Sequence, residues 1–303
     1  MPLQIRLDTL LVRSSHYMFD LDLKDVDLKV TAGQSAPLGA TSINGGVNFS
    51  VFSRHASGVD LLFFDREHDG RPTRVISLNP AANRTYYYWH VFVPEVQPGQ
   101  IYAYRIAGPF DPGDGLRFDP AKVLLDPYGR SIVVPQNYSR EAACRPGDNA
   151  ATAMKSVVID SDAYDWEGDT PLQRPSSRTI VYEMHVRGFT RHPSSGVSEE
   201  KRGTYSGLIE KIPYLQQLGI TAVELLPVFQ FDAQDCPPGL VNYWGYAPIS
   251  FFSLTRHTVL DETGQVLWMS FVTWLRRYTA LASKSFSTWS STTRRKATRP
   301  VQR

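Results

Sequence analysis

Six aromatic residues stand close together in the first half of the chain: Tyr86, Tyr87, Tyr88, Trp89, Tyr102 and Tyr104. Exposed aromatic faces can stack on the apolar faces of sugar rings, and Trp89, Tyr102 and Tyr104 are the candidates for such contacts. The other reading is that alternate members of these strands fill a hydrophobic core, where aromatic side chains dominate. A second aromatic stretch, NYWGYAPISFF from Asn242, is also well formed for a site. The residues that follow have a different character. After Glu262 there is no Asp or Glu but eight Lys or Arg, Ser and Thr crowd together, and three of the six tryptophans lie there. One use of such a tail is binding nucleic acid or an anionic membrane. No metal-binding motif occurs. The two cysteines, Cys144 and Cys236, are too few for a disulfide framework and favour a reducing cytoplasm.

Composition sets the frame for these side chains. Of the 303 residues 42% are hydrophobic and 20% charged, with a net charge of +2, as in a soluble globular protein with material for two domains. No stretch has the length of a signal peptide's apolar core or of a membrane span. From Gly33 onward short strands alternate with turns. GGVNFSVFS sets Val47, Phe49 and Val51 against Asn48 and Ser50, and GVDLLFFD, RVISL, YYYWHVFVP and QIYAYRIAG follow, each bounded by Gly, Pro, Asn or Asp. Period-two strands at this spacing predict a β-sandwich over 33–137, preceded by an extension at 1–32. Residues 138–178 are polar and without periodicity, which reads as a linker. Beyond it, TIVYEMHV reads as a buried strand. Leu208, Ile212, Leu215 and Leu218 lie on one helical face that Gly219 ends, with a break expected at Pro213. ITAVELLPVFQ is a second buried strand, so 179–253 opens an α/β domain with a parallel sheet.

Several of these segments, in this order, resemble the isoamylase-type glycogen debranching enzymes of the α-amylase superfamily. They are PLGATSINGGVNFSVFS, YAYRIAGPFDPGDGLRFDPAKVLLDPYGR, IVYEMHVRGFT, IPYLQQLGITAVELLPV and NYWGYAPISFF, and the resemblance covers about residues 33–253. Branching enzymes and trehalose-releasing hydrolases share the architecture, but YEMHVRGFT together with NYWGYAP is most similar to the isoamylase group. The resemblance implies a carbohydrate-binding-type β-sandwich followed by the start of a (β/α)8 barrel, truncated here. It implies glycogen or another branched α-glucan as partner, hydrolysis of α-1,6 branch linkages, and no cofactor, nucleic acid or membrane. It also implies that Tyr243, Trp244 and Tyr246 lie in a loop at the mouth of the cleft, with Tyr243 or Tyr246 stacking on the sugar at the bond to be cut. Retaining glycosidases need two carboxyl groups about 5 Å apart. In the family these, plus a third Asp, follow the fourth, fifth and seventh strands, beyond this chain, so no catalytic residue is assigned. Glu183 and Glu224 read as structural, and no motif makes Asp232 or Asp235 catalytic.

The genetic code offers an account of residues 254–303. Joining the last base of each codon to the first two of the next forces Trp268-Met269 to encode Asp. With allowed codons elsewhere, Gln265 to Leu275 becomes GPVDEFRDMV and Ser283 to Thr293 becomes EVILDVVFNH. Those are the second helix and third strand that the resemblance calls for. The tail is therefore read as frameshifted from near Ser253, its basic and aromatic residues as by-products of that frame, and its structure as poorly ordered or loosely helical.

Overall fold

The computed structural model describes residues 30–170, 172, 175–256, 264–282 and 287–288. The first unit holds strands β1 (Gly39–Ile43), β2 (Gly46–Phe52), β3 (Gly58–Phe64), β4 (Arg74–Ser77), β5 (Arg84–Thr85), β6 (Tyr88–Pro94) and β7 (Ile101–Ala107). It continues through the hairpin β8 (Phe110–Asp111) and β9 (Leu116–Arg117), then β10 (Ile132–Val133), helix α1 (Arg140–Cys144) and β11 (Lys155–Val157). Two antiparallel sheets, ordered β1-β2-β6-β5 and β10-β11-β7-β3-β4, form the sandwich. Val47, Phe49 and Val51 face its core as their spacing predicts, beside Trp89, Val91 and Val93 of the same sheet and opposite Leu61 and Phe63 of the other. Asn48 and Ser50, the polar alternates, are buried as well. Residues 33–35 lie over them, Asn48 exchanging hydrogen bonds with the backbone of Gln34 and Ser50 donating to the Ser35 carbonyl. The expected extension at 1–32 lies outside the described residues up to residue 29. Thr31 already pairs with Phe92 at the sheet.

Two expectations for this unit need correction. Trp89, Tyr102 and Tyr104 are at most 1% exposed and offer no face to a sugar. They fill the core, with Tyr102 edge-on to Phe49 and to Tyr104. Nor is 138–178 simply a linker. β11 lies between β10 and β7 in the second sheet, and Val158 enters the sandwich core. The strand escapes recognition because it is short and opens with a fully buried lysine. Lys155 Nζ donates to the carbonyls of Glu67 and Ala150 and lies 4.7 Å from the centre of the Phe64 ring. Burial pushes its pKa down to about 8.

The second unit holds β12 (Val181–Met184), α2 (Val186–Arg191), α3 (Tyr205–Glu210), α4 (Ile212–Gln217), β13 (Ala222–Leu225), α5 (Gly264–Ala282) and β14 (Ser287–Thr288). The strands are parallel in the order β12-β13-β14, with Val181 opposite Ala222 and Met184 opposite Leu225. The break expected at Pro213 is present: α3 ends before Lys211, and α4 carries the proline in its first turn, where no amide hydrogen is needed. Among the described residues these three strands form an open sheet and not a closed barrel.

Residues 264–282 differ from the expected loose tail. Leu267, Trp268, Phe271, Trp274, Leu275 and Tyr278 recur at helical spacing and are buried against Tyr205, Leu208, Ile212 and Leu215. An apolar stripe of that width makes a helix bury one face wherever an apolar surface is available, and the α3–α4 side of the sheet provides one. Thr279 donates to Asp169, and Arg276 pairs with Glu167, tying α5 to the end of the stretch read as linker.

Two measurements follow from these cores. Asp126 is buried, accepts from the Tyr102 hydroxyl at 2.8 Å and from the Tyr128 amide, and burial raises its carboxyl from 3.8 to about 6. A pKa raised on folding means that the folded state favours the proton, so stability is lost as pH rises from about 4 through about 6. Asp126→Asn does not titrate. Urea unfolding should therefore find the wild type losing about 2–3 kcal/mol relative to this variant between pH 4 and pH 7. In the second unit the Trp274 indole N–H has no hydrogen-bond partner among the described residues. Trp274→Ala should cost about 3–5 kcal/mol and Trp274→Phe clearly less, because what is lost is packing and not a polar bond.

Candidate functional site

The aromatic loop meets the second unit where β12 ends. His185 is the first residue after that strand and the N-cap of α2, its Nδ1 accepting from the Gly188 amide at 3.0 Å. An N-cap acceptor satisfies a helix-end amide that otherwise lacks a partner, and here it also fixes the imidazole ring. Tyr243 lies over that ring with centroids 4.8 Å apart, Trp244 approaches it edge-on at 5.7 Å, and the two aromatics meet each other at 5.9 Å. The Arg187 guanidinium is 5.9 Å from the Tyr243 ring. Tyr243, Trp244 and Tyr246 keep 42%, 55% and 59% of their surfaces exposed, enough to offer ring faces to a ligand. The turn that displays them is closed by Asn242, which accepts from the Gly245 amide and donates to the Tyr246 carbonyl. Gly245 has φ of +78°, a conformation a side chain would strain, and its Cα lies against the Phe231 ring.

The loop stands on a two-stranded base. Phe229 bridges to Leu254 and Phe231 to Pro248, with Gln230 bonded to both Ser253 and Ile249. Both feet reach the sandwich unit. Asp232, buried, accepts from the Tyr138 hydroxyl at 2.7 Å and from Arg140 at 2.8 Å, and Arg140 also pairs with Asp235 at 2.9 Å. Gln234 accepts from the Arg140 amide and donates to the Tyr138 carbonyl. On the other foot Ser250 donates to the Gly129 carbonyl, and Phe252 stacks on Tyr128 at 4.9 Å. The two loop acids without a motif are thus structural anchors.

The remaining carboxylates occupy another part of the sheet. Glu183 and Glu224 are register partners on β12 and β13, both exposed. In the sandwich unit Phe52, Tyr86, Tyr87, Tyr88 and Phe110 are exposed, and Phe52 meets Tyr87 and Tyr88 edge-on. Parity along β6 could have separated Tyr88 from the core, since Trp89, Val91 and Val93 share one side and Tyr88 the other. His185 also went unnoticed in the sequence. Its signal is a histidine directly after an apolar run, three residues before a glycine in the first turn of a helix.

Residues 37–129 match the model of carbohydrate-binding module 48, the isoamylase N-terminal domain. Isoamylase 1, chloroplastic, of Oryza sativa subsp. japonica is 40% identical over 232 residues, which is 74% of this chain and 28% of that protein. A glycogen debranching enzyme of Serratia proteamaculans is 44% identical over 228 residues, 72% of this chain and 33% of its own. This chain is a relative of the isoamylases and glycogen debranching enzymes. It spans about a third of the length of the curated relatives it matches. Among solved structures, the catalytic module of the glycogen-degrading pneumococcal virulence factor SpuA in complex with an inhibitor superposes with a TM-score of 0.66 at 21% identity. That superposition covers 83% of this chain and 37% of the other. The pullulanase SAP of group B Streptococcus in complex with maltotetraose gives a TM-score of 0.65 at 20% identity, covering 84% and 33%. Among the described residues no helix is long and apolar enough to cross a membrane, and both cysteines are free.

The histidine under the platform supplies a test. Burial, and then the charge of Arg187, hold His185 below its ordinary value of 6.5. A base with a lowered folded pKa contributes its full stability above about 6.5 and loses it as pH falls through the depressed midpoint. Protonation puts a hydrogen on Nδ1 and removes the acceptor that caps α2. A histidine NMR titration should therefore find the His185 midpoint below 6.5. Arg187→Ala should move it part of the way back, with burial, the larger cause, keeping the rest.

Proposed function

We propose that this chain is the N-terminal part of a debranching hydrolase for α-1,6 branch linkages of glycogen or a related α-glucan. We read its second unit as the opening of a (β/α)8 barrel: β12, α2–α4 and β13 follow the alternation such a barrel repeats. The carrying observation is the exposed platform of Tyr243 and Trp244 fixed over His185 at the C-terminal end of a parallel strand, the end at which barrels build their sites. Exposed aromatic rings of this kind can hold the apolar face of a sugar. Tyr243 is the foremost stacking residue in this reading, with Trp244 and Tyr246 beside it.

Holding a sugar is not cleaving one. Bond cleavage needs a carboxylic acid to protonate the glycosidic oxygen and a carboxylate to take the anomeric carbon. In the proposed enzyme those groups follow later strands that this chain lacks. The 303-residue chain accordingly binds without turnover. The alternative frame is part of the same proposal: restored near codon 253, it supplies EVILDVVFNH at 283–293, overlapping the position where β14 now pairs with β13. A cytoplasmic location agrees with two free cysteines.

The assay is release of linear chains from glycogen, read as new reducing ends. The 303-residue chain should release none, and a gene with the frame restored should release them. In parallel, Tyr243→Ala should weaken binding of maltohexaose to the chain about tenfold, the scale of one lost ring stack. Turnover by the chain as given would overturn the reading, and so would maltohexaose affinity indifferent to Tyr243.

A further inference from the structure

The loop that displays Tyr243, Trp244 and Tyr246 is long, and its rigidity must come from somewhere. A segment between two ordered feet gains order only from contacts that outweigh its conformational entropy. Its tip rests on His185 and Arg187. Its feet are fastened to the sandwich unit, and the fastening is unusually complete at one residue. The Asp232 carboxylate accepts three hydrogen bonds, from the Tyr138 hydroxyl, the Arg140 guanidinium and the Gln234 amide. Its side chain is 1% exposed. Arg140 uses its fork to join Asp232 and Asp235, residues on the same side of the turn leading to the tip. A planar fork fixes direction as well as distance, which a single ammonium does not.

The geometry points to Tyr138 and Arg140 of the sandwich unit as positioning residues. Acting through Asp232 and Asp235, they hold the loop in the register that sets Tyr243 over His185 and leaves the Tyr243 and Trp244 faces open to a glucan. The inference rests on the reading of that loop as the glucan site, and it gives the module a task beyond any glucan contact of its own. Without the fork, the foot at 231–235 loses a charged partner while Asp232 stays buried, and the tip keeps only its contacts at the far end. The exchange of an anchored loop for a wandering one lowers the fraction of molecules ready to bind, and apparent affinity falls by that fraction.

The experiment compares the full chain with Arg140→Ala, Arg140→Lys, Tyr138→Phe and a control, Arg105→Ala, which removes an ion pair to Asp148 within the sandwich and away from the loop. The first readout is amide hydrogen exchange in peptides spanning 236–248. Arg140→Ala should speed it about tenfold or more, Arg140→Lys and Tyr138→Phe less, and Arg105→Ala not at all, with β2, β3, β6 and β7 equally protected in every variant. The second is maltohexaose affinity, which should fall in the same order. Unchanged loop exchange in Arg140→Ala, or loosened exchange with unchanged affinity, would overturn the positioning role. Loss of protection throughout the sandwich in Arg140→Ala would also count against it, leaving the milder variants to decide. If the wild-type chain binds no maltohexaose, the glucan reading fails instead, and loop exchange alone decides whether the clamp holds the loop.

Discussion

Parallel strands persist in proteins when both faces of their sheet are covered, and the second unit is arranged around that requirement. One face of β12 and β13 carries Met184 and Val223 into a core closed by α3, α4 and α5. On the other face lie Glu183 and Glu224, side by side and exposed. Val181, one residue pair away on β12, is also largely exposed. α5 thus takes the place of cover that the sheet needs on its first face. Covering a sheet demands apolar residues at helical spacing more than any particular residue, and Leu267, Phe271, Trp274 and Tyr278 meet that demand. Trp274 nevertheless buries an indole N–H without a partner among the described residues.

The loop site has a different logic. Its rings come from one unit and its foundations from the other. His185 sets the far limit of the loop, and the sandwich sets the near one through Asp232, Phe252 and Ser250. This division gives residues 118–145, which have little regular structure, a definite task. Asp119 accepts from the Ala121 and Gly147 amides and Asn149 from the Val123 amide, and Lys122 caps the carbonyls of Ala142 and Arg145, so that α1 is held where Arg140 can reach the loop.

Much of this was legible in the sequence, and the misses have physical causes. Val47, Phe49 and Val51 declared their strand because period two survives whatever covers the polar alternates. The break at Pro213 followed from a missing amide hydrogen. Composition could not say which way an aromatic ring faces. Tyr102 and Tyr104 belong to a strand covered on both sides, since Leu62, Phe64 and Ala103 meet a further cluster with Val123, Ala150 and Ala153 on the outer face. β11 was hidden because Lys155 breaks its apolar pattern while being fully buried. Tyr243 and Trp244 were recognised through resemblance, but His185 and the anchors at Tyr138 and Arg140 lie far from them in the chain. Only the folded arrangement brings them into contact.

The fork of Arg140 is lopsided in its exposure. Asp232 is almost wholly sheltered, whereas Asp235 and Arg140 keep about two fifths of their side-chain surface in water. Dissolved ions screen exposed charges over about 8 Å at physiological ionic strength and reach sheltered ones far less. Rising salt therefore slackens the Asp235 arm first and leaves the Asp232 arm in place. The loop's foot becomes a pivot before it becomes free, and the platform answers to the ionic composition of its surroundings by swinging, not by detaching.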